Sequence, residues 1–349
     1  MTSGTIAPQS ASKKPRIVLT GMGHYFPETV LDNPFFDALD IGSSAQWIDE
    51  RVGIRERRSI LTREELIRLR RGEITRAELV AQGRIMTLAA MCAGPWRQAL
   101  ERADAAHRAV EVDQAIAGTS IPDWDIPANA CAVAGELGLH CTAFDVNSAC
   151  STFVVNLHVA RGLLENHASK SIAIFNAERY TTRVDYTDRS TCVLFGDSAA
   201  AALLETAPDA QGLELVDTIL HSDPSGYPHV RMPDGGAFSQ NGKAVQKFAV
   251  TRTVEVTREI LAKNNIAQDS LAYFIGHQAN FRMLTSACEK NGIRPDQHLY
   301  NVDTRGNQGA TGAPTVLSTH WERYARGDYI VVAVVGSGLT WGAALFKRT

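Results

Sequence analysis

Three residues, Cys150, His277 and Asn307, stand where extended runs give way to a helix or a glycine-rich turn. Residues 142–146 read as a buried strand, and Cys150 opens the apolar helical run 150–164 that follows. The partial positive charge of a helix N-terminus favours thiolate over thiol. A thiolate is both a nucleophile and a good leaving group for acyl transfer; the plain alternative is a small buried thiol. His277 follows the strand 273–276, where a neutral imidazole can donate an N–H to a developing oxyanion or accept a proton. His158, inside the helix after Cys150, reads as packing. Asn307 lies in the segment Gly306-Asn307-Gln308-Gly309, where turn formation alone accounts for an asparagine. Gly336-Ser337-Gly338 reads as a tight turn between two strands, and beside an acyl-cysteine its backbone N–H groups can bind an oxyanion.

The order Cys, His, Asn is shared with papain-like hydrolases, whose nucleophile sits in a C-G-x-C-W-like segment near the N-terminus. That segment is absent here. So are a G-x-x-x-x-G-K-[ST] phosphate loop and an HExxH zinc motif, and no metal site is expected.

The elements that must position these residues alternate. Strands are expected at 17–21, 115–120, 142–146, 171–175 and 199–204, with a small-residue helix at 127–137. After a divide near 205–212 the rhythm repeats: strands at 213–221, 273–276, 329–335 and 339–346, and helices at 247–263, 281–290 and 315–326. Such alternation argues for an α/β architecture with both sheet faces covered. Between residues 60 and 84 the character changes. Thr62 with Glu65, and Thr75 with Glu78, have capping-box spacing, and Gly72 lies between them, so two short helices in a hairpin are expected.

The 349 residues carry 35 basic and 38 acidic side chains, a net charge of −3 with 44% apolar residues. Nothing global points to nucleic acid or to an anionic membrane surface. Six scattered cysteines without a CxxC pair read as reduced thiols. No apolar run approaches the roughly 20 residues a membrane helix needs. The cytoplasm is the expected address, and residues 1–16 are expected to form a loose tail.

Seven strings together resemble the β-ketoacyl-acyl-carrier-protein synthase III family: WIDERVGIRERR (47–58), DVNSACSTF (145–153), TDRS (187–190), FGDSAAAALL (195–204), GHQANFRML (276–284), GNQGATGAP (306–314) and GSGLTWGAAL (336–345). The resemblance implies a thiolase-like fold of two similar α/β halves, 17–205 and 206–349, in α-β-α-β-α layers, and a homodimer. It implies that Cys150 takes an acyl group from acyl-CoA, after which malonyl-acyl carrier protein binds and decarboxylates. His277 and Asn307 would stabilise the enolate oxygen, and the backbone N–H groups of Cys150 and of the turn carrying Ser337 and Gly338 the tetrahedral oxyanion. The family's CoA site maps onto Trp47 and Arg189, which would sandwich adenine, with Arg51 at phosphate, Asn280 at the pantetheine arm and Gly242 in the channel. Lys247 and Arg282 match carrier-protein docking positions. No cofactor is implied beyond acyl-CoA and the carrier's phosphopantetheine.

Departures from the family's pattern bear on the substrate. Thr152 replaces a usual glycine, Ile126 stands where an aromatic residue often lines the acyl pocket, and Gln308-Gly309 replaces a small polar pair. A relative that condenses two acyl chains head to head has a glutamate at the Ile126 position, so that chemistry is not expected. The hairpin insertion at 61–83 is absent from typical members. Residues 51–84 hold ten arginines and five glutamates, and the hairpin is expected to form a flap over the tunnel mouth that helps receive the carrier protein or the CoA phosphates, the plain alternative being a solvated hairpin whose arginines pair with its own glutamates. The same fold and acyl-cysteine also serve transfer to an oxygen, nitrogen or diketide acceptor, and acyl-CoA hydrolysis remains a third reading.

Overall fold

The computed structural model describes residues 14–104, 110–207 and 209–349; most of the tail expected at 1–16 lies outside them. Nine strands form the main sheet: β1 (Val18–Tyr25), β2 (Gln114–Gly118), β3 (Thr142–Asp145), β4 (Ser171–Glu178), β5 (Ser198–Glu205), β6 (Leu213–Ser222), β7 (Leu271–Gly276), β8 (Tyr329–Gly336) and β9 (Thr340–Arg348). Their order across the sheet is β7-β8-β9-β6-β1-β5-β4-β2-β3. The join at the centre is narrow. β1 and β6 pair only through Val18 with Glu214 and Leu19 with Leu213.

Either side of that join the chain winds alike. β1 lies antiparallel to the last strand of its group, β5, which is antiparallel to β4, which is parallel to β2. Likewise β6 lies antiparallel to the last strand β9, which is antiparallel to β8, which is parallel to β7. The strands are apolar on both faces, and alternate residues enter different cores. Ile172 and Ile174 of β4, with Ile330, Val332 and Val334 of β8, share one core with Phe153, Leu157, Val316 and Leu317. These last four lie on the helices Thr152–Glu165 and Gly312–Thr319, which therefore form the middle layer. Ala173 and Phe175 face the helices Leu88–Arg102 and Asn129–Glu136 on one outside face. Val331, Ala333 and Val335 face the helices Gly242–Lys263 and Phe281–Asn291 on the other. The α-β-α-β-α stack of a thiolase-like fold follows. The helix expected at 315–326 begins earlier, at Gly312, and ends at Thr319, because the chain turns there into a short 3₁₀ segment, Trp321–Arg323.

A fourth apolar cluster caps one end of the sheet and contains the hairpin. Both capping boxes form, over the helices Arg63–Arg70 and Arg76–Ala81. Leu66, Ile74 and Leu79 are buried, and the hairpin's charges pair locally: Arg84 with Glu65 at 2.7 Å, Arg63 with Asp32 at 3.0 Å and Arg71 with Glu73 at 3.6 Å. No helix among the described residues is long and apolar enough to cross a membrane.

Candidate active site

Cys150 sits in the 3₁₀ turn Ala149–Ser151 between β3 and the helix Thr152–Glu165. Ala149, just before it, has φ 46°, a left-handed conformation that an alanine adopts only when its surroundings enforce it. Thr152 supplies part of that enforcement. Its Oγ1 accepts from the Ser148 N–H at 2.8 Å and donates to the Ala149 carbonyl at 2.6 Å. Thr152 is fully buried and braces the turn rather than lining a substrate channel, which corrects its reading as a binding residue.

The thiol is protonated at rest, against the expectation drawn from helix polarity. Burial and the neighbouring Glu178 push Cys150 up to about 12, with its own backbone N–H and the Tyr180 hydroxyl acting in the opposite direction. The dipole of the helix Thr152–Glu165 is a small effect beside a desolvation penalty of that size.

The Gly336–Gly338 turn joins β8 to β9 directly over this segment. A Cβ on Gly336 would stand 2.7 Å from the Ser151 nitrogen and 2.9 Å from the Ser148 carbonyl oxygen, so only glycine permits the approach. Ser337 and Gly338 are thereby brought to the nucleophile turn.

His277 follows β7 and is buried, which lowers its pKa to about 4 and keeps the imidazole neutral. Its Nδ1 has no hydrogen-bond partner among the described residues. The Asn307 loop is pinned on three sides. Asn307 donates its N–H to the Leu194 carbonyl at 2.8 Å and accepts from Gly196 N–H at 3.0 Å, while Gly309 N–H binds Asn307 Oδ1 at 3.0 Å. The two segments are tied by a buried amide network that explains Gln308. Gln278 Oε1 accepts from the Asn301 and Val302 N–H groups at 3.0 and 3.2 Å, and Gln308 Nε2 donates to Asn301 Oδ1 at 2.8 Å.

A cavity of about 680 Å³ reaches Asn307 and is also lined by Trp47, Arg51, Arg189, Gly242 and Asn280. Six residues drawn from distant parts of the sequence thus share one space. Asn280 caps the helix Phe281–Asn291, its side-chain oxygen accepting from Met283 N–H at 3.1 Å. Gly242 opens the helix Gly242–Lys263, whose positive end with Arg51 and Arg189 makes the wall electropositive. Trp47 and Arg189 do not stand apart as a ready sandwich: the guanidinium lies 4.9 Å from the indole centroid, ring on ion. Sequence reasoning missed Lys243, which also lines the cavity; its spacing of four from Lys247 on one helix was the available signal.

Other expectations are placed elsewhere. Ile126 is 85% exposed and is not among the cavity's lining residues. Lys247 and Arg282 are exposed on the two helices flanking the cavity, and Arg282 donates to the Asp49 carbonyl at 3.3 Å. No residue of 61–83 is among the cavity's lining residues, so the cavity wall gives no support to the flap expected of the hairpin. Its apolar face is spent on the end-capping core instead. Among the described residues no group of three or more His, Cys, Asp or Glu side chains is placed to hold a metal.

Comparison with known proteins agrees with this geometry. Residues 144–224 match the 3-oxoacyl-[acyl-carrier-protein] synthase III family model, and residues 261–348 match the model of its C-terminal domain. The β-ketoacyl-[acyl-carrier-protein] synthase III of Xylella fastidiosa is 33% identical over 350 residues, covering 96% of this chain and 99% of that protein. The Aliarcobacter butzleri enzyme of the same name is 32% identical over 347 residues, covering 93% and 96%. The crystal structure of the Aquifex aeolicus 3-oxoacyl-[acyl-carrier-protein] synthase III superposes with a TM-score of 0.83 at 29% identity, over 95% of this chain and all (100%) of that one. The chain belongs to the 3-oxoacyl-[acyl-carrier-protein] synthase III family and is a condensing acyltransferase of the thiolase-like fold.

Proposed function

We propose that Cys150 accepts an acyl group from acyl-CoA and that the acyl-enzyme condenses with a malonyl group on acyl carrier protein. The supporting observation is a neutral His277 and an Asn307 whose Oδ1 is already engaged by Gly309, on two segments tied through Gln278, Asn301 and Gln308. That leaves two hydrogen-bond donors, the imidazole N–H and Asn307 Nδ2, and no strong base. Decarboxylation of a malonyl thioester needs just such donors at the enolate oxygen. The carbanion then attacks the acyl thioester on Cys150. Loading releases CoA, and decarboxylation releases carbon dioxide. The carbon–carbon bond then forms to give a tetrahedral oxyanion held by the N–H groups of Cys150 and the Ser337–Gly338 turn. Its collapse breaks the carbon–sulfur bond, releasing the β-ketoacyl carrier protein and a Cys150 thiolate that takes up one proton from solvent.

In this reading the cavity admits the pantetheine arm past Asn280 and Gly242, with Trp47 and Arg189 at the adenine and Arg51 at phosphate. Lys247 and Arg282 flank the mouth and meet an acidic carrier protein, which raises encounter rates in a salt-dependent way. The protein works in the cytoplasm as a homodimer. The edge strand β3 and the exposed Trp124 and Ile126 (48% and 85%) support the homodimer, since such an edge and such side chains call for cover. Ile126 then serves the acyl site of a second copy.

Incubation with acyl-CoA, with and without malonyl carrier protein, tests the reading by weighing the products. A β-ketoacyl carrier protein with one carbon dioxide per turnover is expected. Free acid without the malonyl partner would mark a hydrolase, and an ester, an amide or an acylated diketide would mark transfer to another acceptor.

A further inference from the structure

The amide network beneath the Asn307 loop closes on itself. Gln308 Nε2 donates to Asn301 Oδ1 at 2.8 Å, and Asn301 Nδ2 donates to Thr315 Oγ1 at 3.1 Å. Thr315 shares its one proton between Gln308 Oε1 at 3.0 Å and the Gly312 carbonyl at 2.9 Å. Three side chains thus form a ring, with Gln308 and Thr315 completely buried. The ring has two outlets. On one side Gln308 continues directly from Asn307, and its carbonyl accepts from the Thr311 N–H at 3.0 Å and Thr311 Oγ1 at 2.7 Å. On the other side the N–H groups of Asn301 and Val302 end on Gln278 Oε1, and Gln278 Nε2 donates to the Gly276 carbonyl at 2.7 Å. That last bond spans His277, the residue between its two ends. Gly312 adds a direct contact: a Cβ there would stand 2.8 Å from Gln278 Cβ.

A buried amide or hydroxyl left without a partner is costly, so a closed ring holds its members in one arrangement. None of Asn301, Gln308 and Thr315 is among the residues lining the cavity, although Asn307 is. The ring therefore acts through its neighbours in the chain. Gln308 adjoins Asn307, and Asn301 holds Gln278, which adjoins His277. Two donors aimed at one enolate oxygen must keep their spacing, because a misplacement of about 1 Å can cost on the order of a hundredfold in rate. A glutamine carries donor and acceptor on one long arm; the small polar residue usual at this position lacks that reach.

Resting on the condensation reading above, we propose that Gln308 is a positioning residue for decarboxylation: through its ring with Asn301 and Thr315 it fixes Asn307 relative to His277, so that both donors meet one enolate oxygen. Loading of Cys150 uses neither donor and is independent of the ring. The three side chains act as one unit, so opening the ring at either Gln308 or Thr315 has the same consequence.

The experiment measures two rates on the full chain: carbon dioxide release from malonyl carrier protein, and loading of Cys150 from acetyl-CoA followed by intact-protein mass. Gln308→Ala is expected to lower the kcat of decarboxylation about ten- to a hundredfold, on the scale of a misplaced catalytic group. The KM for malonyl carrier protein and the loading rate should each stay within about twofold, since substrate binding is left alone. Thr315→Val removes the ring's hydroxyl at nearly constant shape and should bring a similar loss; Thr315→Ser, which restores the hydroxyl, should recover most of the rate. Gln308→Ala combined with Thr315→Val should cost no more than Gln308→Ala alone, as residues acting as a unit do. The Thr315 pair carries the test should Gln308→Ala fail to fold. Loading and decarboxylation that fall together with urea stability, or decarboxylation within about twofold of the parent in both Gln308→Ala and Thr315→Val, overturns the proposal. If the parent loads Cys150 yet releases no carbon dioxide from malonyl carrier protein, the condensation reading fails and this proposal with it.

Discussion

Gly309 holds Asn307 by a single hydrogen bond, its backbone N–H to the asparagine Oδ1 at 3.0 Å, and it does so from a left-handed conformation with φ +57°. The bond fixes which end of the amide faces the cavity. With Oδ1 engaged, Nδ2 is the group presented, and the loop's geometry becomes part of the chemistry.

Replacing Gly309 by alanine should therefore damage decarboxylation out of proportion to loading. The left-handed conformation costs an L-residue about 1–2 kcal/mol, and the new methyl collides with the Tyr180 ring. The loop must shift and carry Asn307 with it. Losing the asparagine donor outright, in Asn307→Ala, should cost about 3–4 kcal/mol, or a hundred- to thousandfold in carbon dioxide release from malonyl carrier protein. Acyl loading of Cys150, followed by mass, should stay within a few-fold of normal in Asn307→Ala.

The pH dependence should carry the mark of a neutral imidazole. Burial lowers His277 to about 4, so the acid limb of the decarboxylation rate is expected near 4 rather than near 6.5. Stability should respond in the same direction. Burial, first among the causes in each case, also lowers His24 and His298 to about 4. The unfolded chain takes up these protons near 6.5 while the folded one does not, so this part of the stability is intact above 6.5 and is lost as pH falls from there towards 4. Urea titrations at several pH values would reveal it. A loss of stability between 6.5 and 4.5 that is the same in variants lacking these histidines one at a time as in the parent would count against it.

The hairpin at 61–83 should behave as structure. Leu79 is 1% exposed and Leu66 is completely buried. Leu79→Ala is expected to cost about 2–5 kcal/mol in urea unfolding. Reversing Arg68, Arg70 and Arg71 to glutamate should leave the KM for acyl-CoA within about twofold, since surface charges away from a site act weakly. A large KM rise at low salt, abolished at high salt, would return the hairpin to the role of a docking element.

Much of the site was legible because its chemistry sits at strand ends and glycine turns, which sequence marks openly. Cys150, His277 and Asn307 all occupy such places. Glu178 and Tyr180 were not seen, since β4 was read as ending at Phe175. It continues to Glu178 because a buried carboxylate finds backbone donors at Ser120 and Ala310 that no local pattern reveals. The helix Leu88–Arg102 was missed for a different reason. Pro95 stands in its interior, a residue that argues locally against helix. Thr152 looked like a pocket residue because it replaces a glycine; only its bonds to Ser148 and Ala149 show it to be a brace.

The contact between Trp47 and Arg189 supports the last prediction. The guanidinium lies 4.9 Å from the indole centroid, so on the proposed reading, with adenine between the two, binding requires the pair to part. Trp47 is half-buried and Arg189 exposed; a cation–π contact that water still reaches is worth on the order of 1 kcal/mol, small enough for a base stacking between ring and guanidinium to replace. Arg189→Ala should then raise the KM for acyl-CoA and leave that for an acyl-pantetheine, which has no adenine, nearly unchanged. Trp47→Ala should act in the same sense. Trp47→Phe should act more weakly, because a ring remains for the base to lie on. The decisive comparison is the ratio of the two KM values within each variant, since a general loosening of the cavity would raise both together. Were Arg189→Ala to weaken acyl-CoA and acyl-pantetheine equally, the stack would be a structural clasp at the cavity wall and the adenine would lie elsewhere.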